Sequence, residues 1–137
     1  MAYHGIAIID DDNLFRHIMK AQIDRLKASK FVLMFENGEE AINYFKSHIQ
    51  NPEEFVIPKI IFLDINMPVM NGWQFLEAFA PLREQIEEEI TIYIVTSSAN
   101  EKDREKAAEF TEVTKYVVKP ITSAQLGTIL SNSTELD

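Results

Sequence analysis

Apolar residues follow two spacings along this chain, and the two alternate. Short, nearly continuous apolar runs recur at 5–9, 31–35, 60–63, 90–95 and 116–118. A run of that length closed by turn residues suits a strand buried on both faces, as in a parallel sheet. Between the runs the spacing changes to three and four residues. Leu14, Phe15, Ile18, Met19, Ile23 and Leu26 recur this way, with Arg16, Lys20 and Lys27 on other faces. Ala41, Ile42, Phe45 and Ile49 form a second set, and Trp73, Phe75, Leu76 and Phe79 a third. A charged helix over 100–110 is anchored by Ala107, Ala108 and Phe110, and a last helix is expected over 123–130. Strand and helix thus alternate five times. The pattern predicts an α/β fold, a parallel sheet with helices on both faces and right-handed crossovers.

The punctuation between elements agrees. Asp12 or Asn13 is placed to cap the first helix and Thr122 the last, because short polar side chains accept from free amides there. Met67-Pro68 and Asn71-Gly72 mark a loop after the third strand. Pro81 is expected to disturb the third helix near its end. Segments 51–59, with Pro52 and Pro58, and 83–89 read as connections, and a polar tail starts at about 131. No repeat, low-complexity stretch or linker is visible, so residues 1–137 read as one domain.

Composition narrows the function classes. A net charge of -9, from 22 acidic against 13 basic side chains, argues against direct nucleic-acid binding, which needs Lys and Arg to neutralise phosphates. The absence of cysteine excludes a disulfide scaffold, a thiolate metal site and a Cys nucleophile. The apolar run at the start is too short for a signal peptide, and no stretch approaches the roughly 18 apolar residues of a membrane span. A soluble cytoplasmic protein with no membrane contact is the simplest expectation.

The chemistry stands at the strand ends. The first run closes in Asp10-Asp11, the third in Asp64, the fourth in Thr96 and the fifth in Lys119. In open α/β sheets, ligands collect at the carboxyl ends of strands. A parallel sheet would therefore gather all five side chains along one edge. Three clustered carboxylates repel one another unless a cation sits between them, and oxygen-only ligation favours Mg²⁺ over Zn²⁺. A lysine and a hydroxyl opposite the acids suit a phosphoryl group. The fitting chemistry is phosphoryl transfer onto a carboxylate, with Asp64 as nucleophile, Mg²⁺ offsetting charge and Lys119 holding a transferring oxygen. A competing reading takes Asp10-x-Asp12 as the start of a haloacid dehalogenase-type phosphatase, with Asp10 as nucleophile. Leu14 departs from that motif, and the chain leaves little room for a cap domain.

The motifs I-I-D-D at 8–11, L-D-I-N-M-P-V-M-N-G at 63–72, V-T-S-S-A at 95–99 and Y-V-V-K-P at 116–120 resemble a response regulator receiver domain of two-component signalling. The resemblance runs from Gly5 to about Leu130. It implies a five-stranded sheet in the order 2-1-3-4-5 and phosphorylation of Asp64 by a sensor histidine kinase or a histidine phosphotransfer protein. It further implies Mg²⁺ on Asp10, Asp11, Asp64 and the Asn66 main-chain carbonyl, and contact of Lys119 with the phosphoryl group. The same resemblance makes Lys119-Pro120 a cis peptide, Thr96 and Tyr116 the switch, and Asn66 and Ser98 the residues that tune dephosphorylation. The expected product is a stand-alone receiver, catalysing only its own modification and signalling to a protein target through a changed surface. Ile121, Asp12 and the lengths of 50–58 and 82–89 depart from the family pattern.

Overall fold

A computed structural model of the chain describes residues 4–27 and 29–135. Its elements in order are β1 (His4–Ile9), α1 (Asn13–Leu26), β2 (Ser29–Phe35), α2 (Gly38–Gln50) and β3 (Ile60–Leu63). There follow α3 (Gly72–Arg83), β4 (Thr91–Thr96), α4 (Glu101–Ala108), β5 (Val113–Val118) and α5 (Ser123–Glu135). The strands form one parallel sheet in the order β2-β1-β3-β4-β5. The chain winds outward in one direction from β1 to β2, then in the other from β3 to β5. That reversal opens a crevice beyond the carboxyl ends of β1 and β3.

The sheet separates two apolar clusters, which is why the central runs are apolar without alternation. Ala7, Ile9, Ile61 and Leu63 face α2 and α3, where Phe45, Phe75 and Phe79 pack together. The Phe45 and Phe79 ring centroids are 4.9 Å apart and those of Phe75 and Phe79 5.3 Å. Ile6, Ile8 and Phe62 face α1 and α5, against Met19, Ile23, Leu126 and Ile129.

Several expectations need correction. α1 does not bury all its apolar positions: Phe15, Met19 and Ile23 turn inward, while Leu14 and Ile18 are 69% and 49% exposed and Leu26 43%. Arg16, expected on another face, is buried instead. One helix can bury only one stripe, and the 15-19-23 row takes it. Pro81 stands inside α3, two residues before the helix ends at Arg83. The expected tail from 131 is helical as far as Glu135. β5 begins at Val113 rather than Tyr116, because its exposed Thr114 and Lys115 hide the strand in a hydrophobicity reading.

Caps follow the expected chemistry. Asp12 caps α1 by accepting from the Phe15 amide, and Thr122 and Gln125 exchange backbone-to-side-chain hydrogen bonds at the start of α5.

Candidate functional site

Register sets the site. Ile9 pairs with Leu63, so the next residue on each strand, Asp10 and Asp64, emerges at one level. Thr96 pairs with Val118, which brings Lys119 to the same edge. One carboxylate oxygen each of Asp10, Asp11 and Asp64 lies within 4.8 Å of the others. Asp10 and Asp64 are buried, whereas Asp11 is exposed and marks the open side.

The buried acids are held differently. Asp64 Oδ1 accepts from the Ile65 amide at 2.7 Å and, more distantly, from the Asn66 amide at 3.5 Å. Its Oδ2 faces Lys119 Nζ at 3.5 Å. Asp10 Oδ1 accepts from the Asp12 amide at 2.9 Å. Asp10 Oδ2 lies 2.8 Å from Lys119 Nζ but makes no hydrogen bond of good geometry among the described residues. Burial raises the Asp10 carboxyl above the ordinary carboxylate range, only partly offset by Lys119 and the Asp12 amide. Burial pulls the Lys119 ammonium down, yet the Asp10 and Asp64 carboxylates outweigh it and leave it above its ordinary range.

Three carboxylates this close, two of them buried and sharing the Lys119 ammonium, are what a hard divalent cation would neutralise. The all-oxygen donor set fits Mg²⁺. The backbone also closes in around Asp64. The amide of Gly72 donates to Ile65 O at 3.0 Å, and a Cβ at Gly72 would come within 2.5 Å of Asp64 O. Met70 N donates to Pro68 O at 2.7 Å around Val69, whose φ of 67° is a strained conformation for a β-branched residue.

Thr96 is fully buried, and its Oγ1 accepts from the Ser98 amide at 3.3 Å. Ser98 links this point to α4 and β5. Its Oγ donates to Asp103 at 2.6 Å, and its carbonyl accepts from the Tyr116 hydroxyl at 2.7 Å. The Arg104 guanidinium lies over the Tyr116 ring at 4.8 Å. The Lys119-Pro120 peptide is cis. Asn66 is exposed at the mouth of the site.

Two contributors were not foreseen. Arg16 donates through Nη1 to the Asp10 carbonyl at 2.6 Å and through Nη2 to Asn13 Oδ1 at 3.0 Å. The Phe15 ring centroid lies 4.1 Å from Lys119 Nζ. An arginine one position from the apolar row 15-19-23 is the only sequence signal for the first.

The model of the response regulator receiver domain matches residues 6–131. The chain belongs to the response regulator receiver family. A two-component response regulator from Cytophaga hutchinsonii is similar in fold and length, at 26% identity, TM-score 0.81, and 99% and 100% coverage of the two chains. The receiver domain of sensor histidine kinase PA1611 from Pseudomonas aeruginosa shares the fold at 21% identity and TM-score 0.72, covering 96% of this chain and 97% of that one. That structure is described with a magnesium ion coordinated in its active-site cleft. Among curated proteins, the chain is 31% identical over 100 residues to a protein-glutamate methylesterase/protein-glutamine glutaminase of Treponema pallidum, covering 73% of this chain and 22% of that one. The chain spans between 15% and 42% of the length of the curated relatives it matches.

The receiver family is one of signalling phosphoacceptors. The phosphatase reading is not favoured. Asp12, its required acid/base, is engaged as the α1 cap, and Asp10 faces Lys119 rather than an open pocket. No helix among the described residues is long and apolar enough to cross a membrane.

Proposed function

We propose that Asp64 accepts a phosphoryl group from a phosphohistidine on a sensor histidine kinase or a histidine phosphotransfer protein, and that the chain signals through the resulting change in its surface. The observation that carries this reading is the convergence of three carboxylates within 4.8 Å beneath a lysine 3.5 Å from the proposed nucleophile. Because Oδ1 is tied to the Ile65 amide, Oδ2 is the oxygen that attacks phosphorus. The phosphorus–nitrogen bond of the donor imidazole breaks, its electron pair returns to nitrogen, and a carboxyl–phosphoryl anhydride forms. Lys119 leaves Asp10 to pair with a phosphoryl oxygen. Mg²⁺ held by Asp10, Asp11, Asp64 and the Asn66 carbonyl would offset charge on the transferring oxygens. Water later attacks phosphorus and releases phosphate and the free carboxylate, with Asn66 and Ser98 flanking its approach.

The signal follows from charge. Phosphorylation adds roughly -1.5 to -2 charges. Thr96 turns its hydroxyl toward them, and the Ser98 amide loses its acceptor. Ser98 also holds Asp103 of α4 and Tyr116 of β5, so the strain reaches the α4–β5 surface directly. The net charge of -9 argues against nucleic acid, and the target is read as a protein in the cytoplasm.

Intact mass after incubation with acetyl phosphate tests this. One phosphoryl adduct is expected, dependent on Mg²⁺ and lost in Asp64→Asn. A wild-type chain that gains no mass, and whose spectra do not respond to beryllofluoride, would overturn the proposal.

A further inference from the structure

Lys119 is held from three sides, and one of them is not a carboxylate. Its side chain is 14% exposed, so water supplies little of the ammonium's solvation. Asp10 Oδ2 at 2.8 Å and Asp64 Oδ2 at 3.5 Å face two directions. A third is closed by the Phe15 ring, whose centroid is 4.1 Å away, within the range of a cation–π contact. Phe15 is fixed in turn. It sits in the first turn of α1, half-buried against the cluster that includes Met19 and Ile23, and Arg16 beside it binds the Asp10 carbonyl.

We propose that Phe15 is a positioning residue for phosphoryl transfer, its ring face holding the Lys119 ammonium over Asp64. The inference rests on the receiver reading of Asp64. Its logic is charge economy. A third carboxylate would neutralise the lysine and compete with the phosphoryl oxygens for it. An aliphatic side chain would exclude water but stabilise no cation. The negative face of an aromatic ring attracts the ammonium and leaves its full charge, and its donors, for the incoming group. Phe15 touches neither substrate nor reacting atoms. It acts through Lys119.

The test separates the ring's electrostatics from its bulk. Phe15 is replaced with 4-fluoro-, 3,5-difluoro- and 3,4,5-trifluorophenylalanine, which withdraw electron density with little change of shape. Phe15→Leu and Phe15→Trp complete the series. Rates of acetyl phosphate labelling at Asp64 and the midpoint of beryllofluoride binding are measured beside the thermal midpoint. A cation–π contact of ordinary strength predicts a graded fall in rate, reaching about 3- to 10-fold for the trifluoro and Leu variants. Trp retains most of the wild-type rate, and Phe15→Leu, which loses packing as well as the ring face, falls further in thermal midpoint than the fluorinated variants without falling further in rate. Rates that are flat across the fluorinated series would overturn the proposal, as would a fall that merely tracks stability. A wild-type chain that takes no phosphoryl group removes the receiver reading itself. In that case the Lys119 ε-methylene protons decide the contact: the ring should shift them upfield in the wild type and not in Phe15→Leu. Identical shifts in the two proteins would sink it.

Discussion

Replacing Gly72 with alanine tests how tightly the loop after Asp64 is built. Gly72 opens α3, and its φ is not in the left-handed region, so conformational freedom is not what requires glycine there. Space is. A Cβ would stand 2.5 Å from Asp64 O, 2.7 Å from Ile65 Cα and 3.2 Å from Asp64 C. Ordinary contact begins near 3.5 Å, so α3 and the end of β3 must separate by about 1 Å. The neighbours are backbone, and no rotamer change can relieve them. Resistance comes from the Gly72–Ile65 hydrogen bond at 3.0 Å and from the reciprocal capping box of Asn71 and Gln74. Overpacking of this kind costs about 1–3 kcal/mol. The displaced atoms belong to Asp64, the proposed nucleophile, and a misplacement of about 1 Å can cost roughly 10²-fold in rate. Gly72→Ala should therefore lower the urea unfolding midpoint by an amount equal to about 2 kcal/mol. It should slow acetyl phosphate labelling by one to two orders of magnitude at saturating Mg²⁺. Gly127→Ala is the control. Nothing lies within 4 Å of its added Cβ, and alanine in the middle of α5 should stabilise the chain by about 0.5–1 kcal/mol without altering the labelling rate. If Gly72→Ala matched the wild type in midpoint and labelled within about twofold of its rate, the close-approach argument would be refuted.

Two further outcomes follow from the same neighbourhood. Because burial raises the Asp10 carboxyl, the folded chain binds that proton more tightly than the unfolded chain. Its contribution to stability is present in acid and lost as pH rises through the raised folded value, leaving a buried carboxylate that opposes folding. In metal-free buffer Asp10→Asn should therefore unfold at higher urea than the wild type at neutral pH, with the advantage shrinking in acid. A less stable Asn variant at neutral pH would contradict this. Val69→Gly removes a β-branched side chain from a φ of 67° at a position 72% exposed, where little packing is lost. It should stabilise the chain by about 1–2 kcal/mol in thermal unfolding, and a destabilised variant would show that Val69 is not strained.

What could be read from the chain divides along a physical line. β1, β3 and β4 are buried on both faces, so apolar runs marked them and the residue after each run was bound to stand at the sheet's edge. That logic places Asp10, Asp64 and Thr96 on one edge, and the apolar end of β5 adds Lys119. β5 is an edge strand, and its solvated Thr114 and Lys115 concealed half of it. Asn71-Gly72 read as a turn because that dipeptide usually is one. The reason glycine is needed, the approach of α3 to Asp64 O, depends on a contact between elements that no local pattern records. α1 shows the same limit most clearly. Six apolar residues at helical spacing do not say which row faces inward, and the answer decides the chemistry of the site. With the 15-19-23 row inward, Phe15 meets Lys119 and Arg16 reaches the Asp10 carbonyl. With Leu14 and Ile18 inward instead, both contacts would be lost while every strand-end residue stayed in place. The strand ends thus supply the proposed reacting groups, and the rotation of one helix determines how firmly they are held.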